Sequence, residues 1–161
     1  MRYFILILFF GLFSCKNEND FFETIDNVRL ISYPTRSNWY PNEQFDYNSK
    51  KDIIIPEDKI IDNIILKKED FNSILEILDT EKDSCSVAAC YDPRHMLQFY
   101  KNGKVVAYYE VCLECGGSKN SKNLDFLPPF CIQKGEELKD IFKKLGLKNY
   151  GEGSPILDKL E

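Results

Sequence analysis

Apolar and polar positions change their spacing several times along the chain, and each change predicts an element. Tyr3 to Phe13 is an almost unbroken apolar run behind Met1-Arg2, and Lys16-Asn17-Glu18-Asn19-Asp20 is wholly polar. Phe21 to Asp26 predicts a short helical or irregular lead-in. Val28-Arg29-Leu30-Ile31-Ser32-Tyr33 alternates in part and predicts a strand that Pro34 ends. Thr35 to Lys51 is polar with interspersed aromatics and reads as a long loop, in which Trp39 is an anchor to the core. Ile53-Ile54-Ile55 is closed by Pro56, and Lys59 to Leu66 predicts a second strand. Phe71, Ile74, Leu75, Ile77 and Leu78 then fall at helical spacing, which predicts an amphipathic helix over 68–80. A second set, Leu138, Ile141, Phe142 and Leu145, predicts a helix over 134–145 that Gly146 stops.

Between the helices lies the densest stretch, Cys85 to Gly117, with four of the six cysteines and the single histidine. Asn102-Gly103 separates two β-rich runs. This is the strongest short hairpin signal, because a type I′ turn needs positive φ at both central residues. If those two make the turn, residues whose numbers sum to 205 face each other. Phe99 then faces Val106, Leu97 faces Tyr108 and His95 faces Glu110. Extended further, Cys90 comes near Cys115 and Pro93 near Cys112, although Pro93 interrupts strict pairing that far out. Gly116 to Lys122 reads as a flexible loop. The order strand, loop, strand, helix, hairpin, helix predicts an α+β domain. Its antiparallel sheet contains a central hairpin at about 95–113 and carries both helices on one face. The expected divisions are 1–14 as a signal peptide, 15–27 as tether, 28–147 as one domain and 148–161 as a flexible tail.

Composition narrows the function classes. The chain has 161 residues, one domain by length, and 43% hydrophobic residues are enough for a core. A net charge of −5 with no basic block argues against nucleic acid, which is gripped through phosphate neutralisation. It equally argues against an electrostatic hold on anionic lipid.

The apolar run at the N-terminus is too short for a membrane-crossing helix and has the form of a signal-peptide core. Leu12-Phe13-Ser14-Cys15 resembles the lipobox of bacterial lipoproteins, with the bulky Phe13 as its departure. The resemblance implies cleavage before Cys15, a thioether from its sulfur to diacylglycerol, and stable membrane attachment through several acyl chains. An ordinary secretory signal cleaved nearby is the alternative, and either gives export. Cleavage would remove Arg2 and move the net charge from −5 to −6. The polar run after Cys15 resembles the surface-export tags of some Gram-negative lipoproteins, which favours the outer membrane of the cell envelope.

Five cysteines then remain: Cys85, Cys90, Cys112, Cys115 and Cys131. Outside the cytosol disulfides are the default, and an odd number leaves one over. Hairpin geometry favours Cys90–Cys115. Cys85 or Cys131 would join Cys112, and the connectivity stays open. A zinc site is a second reading, with Cys112-x-x-Cys115 as one half of a knuckle and Cys90 and His95 among its completing ligands. Thiol redox chemistry at Cys112-Leu113-Glu114-Cys115 is a third. Against it, the pair ends a strand before Gly116-Gly117, where redox C-x-x-C pairs begin a helix. His95 opposite Glu110 would make a hydrogen-bonded pair at the sheet rim, with acid–base work as the sharper alternative. No arrangement of nucleophile, base and orienting acid marks a hydrolase, so no catalytic residue is assigned.

Cys90-Tyr91-x-Pro93-Arg94-His95, Phe99-Tyr100-x-x-Gly103-Lys104 and Cys112-x-x-Cys115 together resemble a group of uncharacterised bacterial lipoproteins. That resemblance carries no activity. The expectation is an envelope lipoprotein with a disulfide-stapled hairpin acting as a binding or interaction module, and the alternative is a metal-binding or thiol-redox protein.

Overall fold

The computed structural model describes residues 20–35 and 55–156. The signal segment, Cys15, the polar run after it, Trp39 and the last five residues lie outside the described residues.

Five strands form one antiparallel sheet: β1 (Asn27–Ser32), β2 (Asp62–Ile65), β3 (His95–Lys101), β4 (Lys104–Cys112) and β5 (Gly117–Asn120). Their order across the sheet is β2-β1-β3-β4-β5. A helical turn α1 (Asp20–Glu23) precedes the sheet, and two longer helices, α2 (Lys68–Asp79) and α3 (Ile132–Lys144), complete the fold. The protein is therefore α+β, as the pattern predicts.

Alternation along the strands sends Val28, Leu30, Leu97, Phe99, Tyr109 and Val111 to one face, where they meet Ile74 and Leu78 of α2 and Leu138 and Phe142 of α3. Both helices thus cover the same face. Each full side-chain burial there contributes about 1.5–3 kcal/mol of transfer free energy. The aromatic pair of α1 joins this core, with Phe22 5.6 Å from Phe71 and 5.8 Å from Phe126 between ring centroids. The packed body therefore starts inside the stretch expected to be tether.

The end of α3 follows the helix-stop rule in detail. Gly146 has φ 78°, its N–H donates to the Lys143 carbonyl, and the Leu147 N–H reaches back to Phe142 O. That is the double bond pattern of a Schellman stop, and Leu147 seals it by packing in the core. The chain does not fray after Leu147. Lys148 N–H donates to Asp62, and Asn149 is wholly buried, so the docked region continues into the expected tail.

Two expectations about the hairpin are corrected. Asn102 and Gly103 do take positive φ, 51° and 72°, and Lys101–Lys104 and Tyr100–Val105 pair as expected. Beyond them the register slips: Phe99 pairs with Ala107, Leu97 with Tyr109 and His95 with Val111. Val106 is an extra residue in β4, a β-bulge. A one-residue slip moves every later side chain to the other face. His95, in step with Leu97 and Phe99 along β3, points to the helix side, and the slip turns Glu110, opposite Met96, away from it. The Gly116–Lys122 loop is also corrected: residues 117–120 are β5, paired along β4 from Cys112–Gly117 to Tyr109–Asn120.

Candidate functional site

The turn between β4 and β5 is Leu113-Glu114-Cys115-Gly116, so Cys112-x-x-Cys115 belongs to a hairpin turn and not to a helix start. Gly116 closes it with φ 68° and an N–H bond to Cys112 O of 3.0 Å. A Cβ there would sit 2.5 Å from Ile132 N and 2.7 Å from Ser86 O, so only glycine lets this turn press on the start of α3. Cys115 in the turn is bridged to Cys90, with Cα atoms 5.8 Å apart. The bridge expected from hairpin geometry is present, and it pins the irregular segment before β3 to the sheet end. Ala88 N–H adds a backbone bond to Cys115 O at 2.8 Å.

Among the described residues the other three cysteines carry free thiols. Cys112 is buried, and burial pushes its thiol up, so the sulfur stays protonated and inert. Cys85 is exposed, and Cys131 is buried at the N-cap of α3. The Cys85 thiol donates to Pro129 O at 3.8 Å, and the nearby Cys131 and burial push it up. Neither joins Cys112.

His95 is fully buried, with its ring centroid 5.1 Å from that of Phe142. Nε2 lies 2.9 Å from the Asn149 carbonyl oxygen, which fixes Nε2 as the N–H donor. Burial lowers the imidazole pKa to about 4, against a smaller opposing effect of that hydrogen bond. A neutral, sealed histidine serves neither as a surface acid nor as a base. Its expected partner Glu110 instead accepts from Tyr33 Oη at 2.5 Å and Tyr91 Oη at 3.0 Å on the opposite face.

The zinc reading fails a fit test on these residues. Cys90 and Cys115 spend their sulfurs on each other, Cys112 is a buried thiol, and His95 gives Nε2 to Asn149. Among the described residues no three His, Cys, Asp or Glu side chains gather where a metal could sit.

The sheet face away from the helices holds a different feature. A groove of about 580 Å³ crosses β2, β1, β3 and β4, floored by Asn63, Arg29, Ile31, Gln98, Tyr100 and Tyr108. Arg29, Gln98 and Tyr108 stand in one row through strand pairing. The Arg29 guanidinium lies 5.0 Å from the Tyr100 ring centroid, and Tyr100 Oη donates to Gln98 Oε1 at 2.9 Å. Arg29 Nε is shielded from water and has no hydrogen-bond partner among the described residues. Ile55 and Ile60 form an apolar wall beside this polar row. Such a volume, apolar walls and a few convergent polar groups suit a small ligand.

No family model, curated protein or solved structure matches this chain. The geometry alone therefore carries the functional reading. Sequence reasoning missed the groove because its row is assembled from three strands whose register depends on the Val106 bulge. It also missed Lys134, which is wholly buried and donates from Nζ to Leu78 O at 2.7 Å. A signal for Lys134 existed: it stands four residues before Leu138, on the apolar stripe of α3.

Proposed function

We propose that the protein is an exported envelope lipoprotein, attached to a membrane by lipid at Cys15, whose domain binds a small carboxylate-bearing ligand in the groove on the helix-free sheet face. The groove is the observation that carries the binding reading. Arg29 offers a planar guanidinium suited to a carboxylate, and its shielded Nε leaves a donor to satisfy. Tyr100 and Tyr108 supply faces for the rest of the ligand, and Gln98 and Asn63 supply orienting polar groups. Two features support export. The Leu12-Phe13-Ser14-Cys15 run has the lipobox form, and a disulfide such as Cys90–Cys115 belongs to an oxidising compartment. No helix among the described residues is long and apolar enough to cross a membrane.

Titration of isotope-labelled protein with a panel of small carboxylates tests the groove. Amide signals of Arg29, Gln98 and Tyr100 are expected to move, and Arg29→Gln is expected to weaken binding by about tenfold or more, the worth of a charged hydrogen bond. Signals that stay put throughout the panel, or that move only on the helical face, reject the reading. The anchor is tested separately: Cys15→Ser should shift the protein from the membrane fraction to the soluble one, and unchanged fractionation would reject lipidation.

A further inference from the structure

Besides the buried Cys112, the described thiols left unused by both the hairpin bridge and the groove are Cys85 and Cys131. They come from distant parts of the chain. Cys85 sits in the irregular segment after α2, and Cys131 is the N-cap of α3. Backbone contacts hold them together: Ile132 N–H donates to Ser86 O at 2.9 Å, and Ser86 N–H donates to Gln133 Oε1 at 3.1 Å. Gly116 is pressed against both Ser86 and Cys131, so the bridged turn braces this junction from behind. The Cys85 thiol donates to Pro129 O at 3.8 Å, two residues before Cys131 in the chain, and it interacts electrostatically with Cys131. Lys134, one turn into α3, is wholly buried beside them, and its charge interacts with both cysteines. Lys82, ion-paired to Glu137 at 2.6 Å, and Asp79 are the other charged groups facing that ammonium.

We infer that Cys85 and Cys131 form a reversible dithiol–disulfide pair that exchanges with external disulfides through the exposed Cys85 sulfur. Access is one-sided, because Cys131 is fully buried and Cys85 is exposed. The Cys85 sulfur, having given its proton to solvent, attacks one sulfur of an external disulfide. The external S–S bond breaks, and one thiolate leaves and takes up a proton. The Cys131 sulfur then loses its proton and attacks Cys85, a Cys85–Cys131 bond forms, and the second external thiolate leaves. Two electrons pass from the pair to the external disulfide, which ends as two thiols; reduction runs the same steps backward. The neighbouring Cys131 and burial push the Cys85 thiol up, against a smaller opposing effect of the Lys134 ammonium, so exchange through Cys85 is expected to start faster as pH rises. These features set the pair apart from Cys90–Cys115. The inference is independent of the groove.

The test equilibrates the full chain, isolated without reductant, in glutathione buffers of graded composition, followed by alkylation and peptide mass mapping. The expected result is a Cys85–Cys131 link that opens and reseals across the series while Cys90–Cys115 stays linked and Cys112 is alkylated only after unfolding. Three results overturn the inference: Cys85 and Cys131 both alkylated in the most oxidising buffer, either one linked to Cys112, or a Cys85–Cys131 link that opens only when Cys90–Cys115 opens.

Discussion

Asn149 closes the fold through hydrogen bonds to three distant partners. Its backbone N–H donates to Asp62 at 3.0 Å, its side-chain amide donates to Tyr33 O at 3.1 Å, and its carbonyl accepts from His95. Asp62 in turn accepts Ser32 Oγ at 2.6 Å and Lys148 N–H at 3.1 Å. One asparagine thereby ties the segment after α3 to β1, β2 and β3. Asn149→Ala keeps the backbone bonds but removes the amide donor to the buried Tyr33 carbonyl. The expected loss is about 1–3 kcal/mol, read as a lower denaturant midpoint with an unchanged slope. An effect under about 0.5 kcal/mol would show that the segment adds nothing to global stability. None of this was legible in the sequence, where Asn149 sits in a glycine-bearing stretch that reads as a tail. Its role comes from three partners at separations of 54 to 116 residues, which no local pattern encodes.

At the scale of elements, periodicity located both long helices to within two residues and the hairpin turn to the residue. Those are local properties: a stripe every three or four residues, and a dipeptide that tolerates positive φ. The bulge at Val106 was not legible, because Val105 and Val106 are alike in sequence and differ only in which one β3 leaves unpaired. Removing Val106 should restore the uninterrupted register. Val105 would then be followed directly by Ala107, so Ala107, Tyr109 and Val111 keep Phe99, Leu97 and His95 as partners and stay on the core face, and the deletion is expected to leave a single cooperative unfolding transition in calorimetry. The disulfide acts on a longer stretch. Cys90 and Cys115 are 25 residues apart, and bridging a loop of that length lowers unfolded-chain entropy enough to contribute about 3 kcal/mol. Cys90→Ala paired with Cys115→Ala should lower stability by about that amount and release the segment before β3. Hydrogen exchange at the Ala88 amide, whose acceptor is Cys115 O, reports the release directly. An unchanged Ala88 rate would assign the segment's hold to its other contacts.

For the molecule as a whole, the sheet is a partition with a different chemistry on each side. The helix side holds the main core and one histidine without water contact; the far side holds Glu110 with its tyrosines and the Arg29 groove. The α+β class was legible from the order of elements, but this partition was not, since it follows from register. It makes global stability depend on pH through His95. The imidazole has its ordinary pKa of 6.5 in the unfolded chain and about 4 in the folded one, with burial as the main cause and Glu114, Arg94 and Asp62 as the charged groups acting on it. Below pH 6.5 the unfolded chain takes up a proton that the folded protein refuses. Stability contributed by the neutral ring is therefore complete above pH 6.5, is lost as pH falls toward 4, and changes no further below that. The full loss is about 3 kcal/mol, more than half of it by pH 5, where most carboxylates are still ionised. Denaturant midpoints between pH 7.5 and 5 should fall accordingly in the native protein. His95→Gln, which keeps a donor for the Asn149 carbonyl and does not titrate, should start from a lower stability and show a flatter profile. Parallel profiles for the two proteins would mean that His95 takes up its proton in the folded state, and that the helix side of the sheet admits water.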